Sequence, residues 1–141
     1  AAVEGLNNPT HLMFQYLWDR LEVIWRYVED AGLEDQVVVM VVCPLGRTGL
    51  VGPDGIKQRW PTTSYLFFGG GIEGNRVVGA TDRQMLPRQI DPETLEVVDA
   101  GGVTLTTAHV HAALRAFLGI ADHPLMDEYP LNVPVLPIFG Q

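Results

Sequence analysis

Gln36–Gly49, QVVVMVVCPLGRTG, is the stretch that decides the predicted fold. It begins as a run of valines broken by Met40 and turns into a Pro- and Gly-containing loop that carries Arg47. A continuous apolar run without polar alternation is typical of a strand that is buried on both faces of a parallel sheet. Ligands of such sheets bind beyond the carboxyl ends of the strands, so the sequence predicts a functional loop at residues 44–59.

A long helix is predicted before this strand. Asn7, Asn8 and Pro9 provide its cap and first turn, and Gly32 ends it just after Asp30. Apolar residues at three- and four-residue spacing form one stripe for packing on the sheet, and a second set lies away from that stripe. A helix that is apolar on two sides is expected to contact a partner. The packing stripe is Phe14, Leu17, Trp18, Leu21, Ile24, Trp25 and Val28, and the partner-facing candidates are Met13, Tyr16, Val23 and Tyr27.

The rest of the chain alternates strands, turns and one more helix. Ser64–Phe68 and Arg76–Ala80 are predicted strands, joined as a hairpin by the glycine-rich segment 69–75. Residues 81–102 have no clear period and are predicted to be irregular. Thr104 is predicted to cap the second helix, which ends at Gly119.

These elements predict an α/β fold with a mostly parallel sheet and flanking helices. Residues 1–120 are expected to form the α/β domain. The Pro-rich tail at 121–141 is expected to be extended and to pack on the domain or on a partner. Since the first visible element is a helix followed by one central strand, further strands are expected from a longer polypeptide or from another chain.

Composition excludes several classes of function. The chain has 141 residues and a net charge of -8, so it has no basic field for a nucleic-acid backbone, and nucleic acid is not expected as a partner. The apolar run near Val38 is too short for a membrane helix, so no membrane span is expected.

Few residues are candidates for chemistry. Cys43 is the single cysteine and is expected to be a small core residue, although a nucleophile at the strand end is an alternative that needs a base. His109 and His111 lie two positions apart and so on different faces of a helix, where they cannot bind one metal together. They are interpreted as structural. No metal or cofactor is therefore expected.

Several motifs occur in a recognisable order along nearly the whole chain. They are Gly32-Leu33 before the valine-rich strand, LGRTG at 45–49, Arg59-Trp60-Pro61, FFGGGIEGNRVVGATD at 67–82, and Val103-Thr104 at a helix start. This order resembles the C-terminal half of the secreted bacterial family called domain of unknown function 1501, a relative of the alkaline phosphatases and sulfatases. The resemblance implies an alkaline-phosphatase-like partial domain and an extracytoplasmic location, periplasmic or secreted.

The chain departs from that family at the positions that bind metal. The family has Asp-Thr-His-Gly where this chain has Ala2-Val3-Glu4-Gly5, and Glu-Phe where it has Pro44-Leu45. Asp-His before Trp-Pro is replaced by Gln58-Arg59, and a guanidinium carries a fixed positive charge that cannot coordinate a cation. The resemblance therefore implies that the metal site is lost.

The positions that match the family are those of its scaffold. They are Gly46, Arg47, Thr48, Trp60, Gly69, Gly70, Gly71 and Thr104. Retained scaffold and lost ligands predict a non-catalytic domain that acts as a structural or assembly component of a larger protein or complex. The alternative is a metal-dependent hydrolase of phosphate or sulfate esters, completed by residues outside this chain, in which Arg47, Thr48 and Arg59 bind the anionic group.

Overall fold

The computed structural model describes residues 9–140, so the predicted cap at Asn7 and Asn8 and the segment Ala2-Val3-Glu4-Gly5 lie outside the described residues. By internal contacts the chain divides into two units. The first contains the N-terminal helix, the segment that follows it to Val39, and Gly69–Gly71; the second contains the other described residues. In chain order the elements are α1 (Pro9–Asp30), β1 (Val38–Val42), β2 (Gly46–Arg47), β3 (Arg59–Trp60), β4 (Tyr65–Gly69), β5 (Gln89–Ile90), β6 (Val97–Val98), β7 (Val103–Thr104), α2 (Thr107–Phe117) and α3 (Leu125–Glu128).

The strands form three small separate sheets, so the predicted mostly parallel sheet with flanking helices is wrong, and so is the alkaline-phosphatase-like partial domain. β1 is paired with β4 alone, β2 pairs antiparallel with β3, and β5 lies between β6 and β7 with antiparallel pairing on both sides. A strand buried on both faces needs covering layers, whereas Met40 and Val42 of β1 are exposed. The valine run therefore indicates a strand but not a central one.

The predicted third strand is also wrong, because Arg76–Ala80 contains no strand and the segment before it is therefore not a hairpin turn. Arg76 instead bonds to another part of the chain, since its guanidinium donates to the carbonyl oxygens of Pro137 and Ile138 at 3.3 and 2.7 Å. The segment predicted to be irregular contains β5 and β6. Asp91 connects these two strands, because its Oδ1 accepts the backbone N–H groups of Glu93 and Thr94 at 2.9 and 2.8 Å.

The core of the second unit is small. Ile90 of β5, Leu95 and Leu136 form its buried cluster, and Ile90 has no exposed surface. Phe139 is also buried and makes an edge contact with Phe67 of β4, at 4.9 Å between ring centroids. Half-buried aliphatic residues pack around the cluster: Val78, Val97, Val103, Leu105 and Ile138.

α1 ends at Asp30, as predicted. Gly32 has a φ of 66°, its N–H donates to the carbonyl of Glu29, and the N–H of Leu33 donates to the carbonyl of Val28 at 3.0 Å. This is the Schellman pattern of a helix C-terminus.

The predicted packing stripe of α1 is only partly covered. Leu21 is buried, and the half-buried members of the stripe lie above and below it: Leu17, Trp25 and Val28. Phe14, Trp18 and Ile24 were predicted to pack but are exposed, because among the described residues of its own unit α1 is accompanied only by residues 31–39 and Gly69–Gly71.

α2 begins at Thr107, so the prediction that Thr104 caps it is wrong. Thr104 is an exposed residue of β7, where it pairs with Gln89. The N-cap is Thr106, whose N–H donates to Nδ1 of His109 at 3.2 Å and whose hydroxyl lies 2.8 Å from the same nitrogen. A histidine at the third helical position therefore completes a capping box and selects this threonine.

The turn at Asp91 makes stability depend on acidity. The backbone N–H groups of Thr94 and Glu93 hold the pKa of this carboxyl below its ordinary value of 3.8, because they bind its charged form. A lowered pKa contributes stability that is complete above 3.8 and is lost as pH falls through the folded-state pKa. We therefore expect Asp91→Asn to destabilise the protein at pH 7 and to differ progressively less from the parent below pH 3.8. Urea denaturation over that pH range checks this, and a constant difference would contradict it.

Candidate functional site

α1 has a second row of apolar side chains, displaced around the helix from Leu21. Met13, Tyr16, Val23 and Tyr27, the predicted partner-facing residues, are all exposed, at 73%, 62%, 43% and 72%. Arg20 lies between Tyr16 and Val23, and Asp30 follows Tyr27. The spacing alternates between three and four residues, as in the interface of a coiled coil. We call these six residues the seam: Met13, Tyr16, Arg20, Val23, Tyr27 and Asp30.

A depression of ≈ 250 Å³ lies at the C-terminal end of the seam. Its lining residues are Val23, Arg26, Tyr27 and Asp30, which are at positions i, i+3, i+4 and i+7 of the helix. Four residues at this spacing form the hole that accepts one side chain of a facing helix in knobs-into-holes packing. The lining residues of the depression therefore have the spacing of such a hole.

Charged groups border the seam. The Arg20 guanidinium lies 4.7 Å from the centre of the Tyr16 ring, and Arg26 forms an ion pair with Glu22 one turn earlier. These side chains are exposed, so the pairs add little to the stability of the isolated helix. They give the seam a charge pattern that a facing helix must match.

The loop predicted to bind an anion has two arginines on facing strands. Arg47 of β2 is directly opposite Arg59 of β3. The N–H of Thr48 donates to the carbonyl of Gln58, so Thr48 and Gln58 are a hydrogen-bonded pair. Hydrogen-bonded and non-hydrogen-bonded pairs alternate along an antiparallel ladder, so the two arginines are a non-hydrogen-bonded pair. Side chains in such pairs project to the same face and lie closest together.

Neither arginine has a carboxylate partner within residues 9–140. Arg47 makes one weak bond, from its Nη1 to the carbonyl of Lys57 at 3.4 Å. Asp54, the nearest acidic residue in the loop, is occupied by Gln58 at 2.7 Å and by the N–H of Ile56. The pair is therefore a local concentration of positive charge on an acidic chain.

Thr48, the third predicted anion ligand, is occupied by the loop. Its hydroxyl donates to the carbonyl of Leu50 at 2.8 Å and accepts the N–H of Gln58 at 3.1 Å. By alternation its side chain also projects to the face opposite Arg47. The structure thus brings Arg47 and Arg59 together and separates Thr48 from them.

Trp60 and the matching glycines have structural contacts. The indole N–H of Trp60 donates to the carbonyl of Met85 at 2.8 Å. Trp60 also lines an open depression of ≈ 430 Å³. The rest of its lining is mixed: Thr48, Gly49, Leu50, Arg83, Gln84 and Met85. A Cβ on Gly69 would lie 2.2 Å from the carbonyl oxygen of Val37, and one on Gly70 would lie 2.4 Å from the carbonyl carbon of Asp35. Gly71 has a φ of 74°.

The remaining chemical candidates are exposed or already hydrogen-bonded. Cys43 is exposed, so its predicted place in the core is wrong, and its thiol donates to the carbonyl of Leu45 at 3.1 Å. His109 is buried in the helix cap and His111 is exposed. Within residues 9–140 no group of three or more His, Cys, Asp and Glu side chains could hold a metal ion.

The arginine pair gives a prediction about stability. Like charges directly opposite each other destabilise an antiparallel pair, and opposite charges contribute about 0.2–1 kcal/mol. We expect Arg59→Glu to raise the free energy of unfolding by roughly this amount, and the gain to shrink in high salt. Chemical denaturation at low and high salt measures it. Lys57→Glu makes the same change of charge at a position that is diagonal to Arg47 instead of directly opposite it. Its gain should be smaller, and an equal gain would contradict the explanation by direct cross-strand pairing.

Sequence reasoning missed two members of the seam. Arg20 and Asp30 are charged and were left out of a set chosen for apolar character. The heptad spacing that links them to Met13, Tyr16, Val23 and Tyr27 is visible in the sequence and could have identified them.

Comparison with known proteins gives no relative. Within the described part of the chain, no helix has the length and apolar character needed to cross a lipid bilayer. No protein-family model matches the chain, and no curated protein and no solved structure matches it either.

Proposed function

We propose that this chain is a non-catalytic structural or assembly component that binds a protein partner through the seam of α1. The partner is another polypeptide or the remainder of a longer one. The observation that carries the proposal is the exposure of Met13, Tyr16 and Tyr27 in one row along α1, beside a packing stripe that is itself only partly covered.

Three properties of this surface support protein binding. Exposed aromatic and methionine side chains are enriched in protein interfaces and are unusual in a continuous row on an isolated surface. The row follows the spacing of helix-to-helix packing, and it includes a hole for a partner's side chain. The acidic net charge of -8 disfavours a nucleic acid as the occupant.

Site-specific photocrosslinking tests the proposal. A benzophenone amino acid is placed at Tyr27 in the protein expressed in its source cells, and covalent adducts are identified by mass spectrometry. Tyr129 is the control, because it is a tyrosine with similar exposure, 65% against 72%, and lies outside α1. We expect one defined adduct from position 27 that is absent from position 129 and is lost when Met13→Asp and Val23→Asp are added.

The protein identified in the adduct is then purified, and it must bind the purified chain without a crosslink. Circular dichroism first establishes that the Met13→Asp, Val23→Asp protein keeps its helix content. The proposal is wrong if position 27 gives no adduct and the purified chain is monomeric.

A second candidate function is suggested by the facing arginines. We infer that Arg47 and Arg59 could bind a phosphate or sulfate group, as they would in a metal-dependent ester hydrolase completed by residues outside this chain. Two guanidinium groups on one face and without carboxylate partners among the described residues favour an oxyanion ligand. An extracytoplasmic location remains a prediction of the family resemblance for either candidate.

Enzyme assays and anion titration separate the two candidates. A hydrolase would release phosphate or sulfate from an aryl ester, lose that activity on treatment with a chelator, and lose it in Arg47→Ala. Titration with inorganic sulfate, followed by NMR of the arginine side chains, tests anion binding without catalysis. If neither activity nor binding is detected, this candidate is wrong, and the proposal for α1 is unaffected.

A further inference from the structure

The seam fits one partner in particular, a second copy of the same helix in antiparallel orientation. We propose that two copies of this chain associate by packing their α1 helices antiparallel along the seam. This inference rests on the proposed function and adds the identity and orientation of the partner.

The heptad positions define which side chains can meet. Met13, Arg20 and Tyr27 occupy position a, and Tyr16, Val23 and Asp30 occupy position d. In an antiparallel pair each a residue lies beside a d residue of the other helix. The register that aligns the whole seam places Tyr16 beside Tyr27, Arg20 beside Val23, and Met13 beside Asp30 of the other copy.

The depression on α1 agrees with this register. Tyr16, at position d, points between helical turns at the level of Tyr27 of the other copy. The hole at that level is formed by a residue at a, a residue at g and two flanking residues at d. The depression has this composition, because it is lined by Tyr27, Arg26, Val23 and Asp30. The Tyr16 ring of each copy is therefore the knob for the hole of the other.

Charges select the antiparallel orientation. The g residues beside the seam include Asp19 and Arg26, and in this register Asp19 of each copy faces Arg26 of the other. The symmetry generates two such pairs. Arg26 already bonds to Glu22 of its own helix, so the arriving carboxylate joins an oriented guanidinium.

A parallel pair would have the opposite electrostatics. It would place Arg20 beside Arg20 and Asp30 beside Asp30 in the same layers of the interface. Like charges in a closely packed layer disfavour association. The seam thus matches its own reversed copy and disfavours its parallel copy.

Disulfide trapping measures the orientation. Cys43→Ser first removes the native thiol. One batch then carries Tyr16→Cys, another carries Tyr27→Cys, and a third carries Gln15→Cys, which is exposed on α1 but off the seam. The batches are mixed in pairs at high protein concentration and oxidised with copper phenanthroline. We expect the disulfide between positions 16 and 27 to form in several-fold larger amount than the 16–16 and 27–27 disulfides. It should exceed every disulfide that involves position 15 by a similar factor, since disulfides form only between Cβ atoms held close together.

Charge exchange gives an independent measurement on the chain with its seam intact. Sedimentation velocity from about 1 µM to 1 mM gives the dissociation constant. We expect Asp19→Arg alone and Arg26→Asp alone each to raise the dissociation constant roughly tenfold, since two contacts between like charges replace two contacts between opposite charges. The double variant should return it to within about threefold of the parent value.

The outcomes separate this inference from the proposed function. A dimer dominated by 16–16 and 27–27 disulfides overturns the orientation. A chain that is monomeric at 1 mM overturns self-association, whereas a different protein crosslinked at position 27 would still support the proposed function. Rescue by the charge exchange together with the 16–27 disulfide supports the antiparallel pair.

Discussion

Ile90→Ala is expected to lower the free energy of unfolding by about 2–5 kcal/mol, because it leaves a cavity in the small core of the second unit. Ile90 has no exposed surface and packs with Leu95 and Leu136. Its strand is the middle strand of the three-stranded sheet, so loss of its side chain weakens contacts to both neighbours. The core has few fully buried side chains within the described residues, so each of them contributes a large share of its packing.

Chemical denaturation of Ile90→Ala and of Ile56→Ala gives the comparison. Both variants remove the same atoms, but Ile56 is 60% exposed and its loss should cost less than about 0.5 kcal/mol. Equal effects of the two variants would mean that Ile90 does not anchor the core. If Ile90→Ala does not fold, Ile90→Val removes one methylene and should cost about 0.5–1.5 kcal/mol.

α1 and the end of α2 were predicted well because their signals are local, whereas α3 (Leu125–Glu128) lies in the tail that was predicted to be extended and was missed. Pro9 at the start of α1 and Gly32 just after its end are local signals, because each acts on the helix backbone within about one turn of its own position. The end of α2 near Gly119 is also local. Its start was misplaced from Thr106 to Thr104, because several threonines stand close together and only the contact with His109 distinguishes the one that caps.

The sheets were predicted poorly because strand pairing joins distant residues. β1 was recognised, but nothing in its valines gives the number of its neighbours or the layers that cover it. β5, β6 and β7 are each two residues long, too short for an alternating pattern, and they are brought together by hydrogen bonds at Asp91 and by pairing of Gln89 with Thr104. The family resemblance did not correct the prediction of the sheets, since it implied a parallel sheet that these strands do not form.

The residues of the candidate site differ in the same way in how far the sequence predicts them. The partner-facing residues of α1 follow from helical spacing, which is visible in the sequence, and their exposure agrees with it. Arg47 and Arg59 were named for their charge alone, and their direct opposition depends on the register of β2 and β3. That register depends in turn on a glycine.

Gly46→Ala is expected to disrupt the β2–β3 pair and to lower the free energy of unfolding by about 3 kcal/mol or more, at the upper end of the usual cost of overpacking. A Cβ at this position would lie 1.8 Å from the carbonyl oxygen of Thr62 and 2.6 Å from that of Trp60. Both atoms belong to the backbone, so they cannot rotate away and the two strands must separate.

The disruption should reach the arginine pair and the tryptophan beside it. Gly46 is paired with Trp60, and Arg47 with Arg59, so separation at the first pair changes the second. The hydrogen bond from the Trp60 indole to Met85 should be lost as well, and NMR of the indole N–H measures this together with denaturation. Gly74→Ala is the control, because a Cβ there meets no atom within 4 Å, and its cost should stay within about 0.5 kcal/mol. Equal behaviour of the two variants would mean that close backbone approach at Gly46 does not hold Arg47 opposite Arg59.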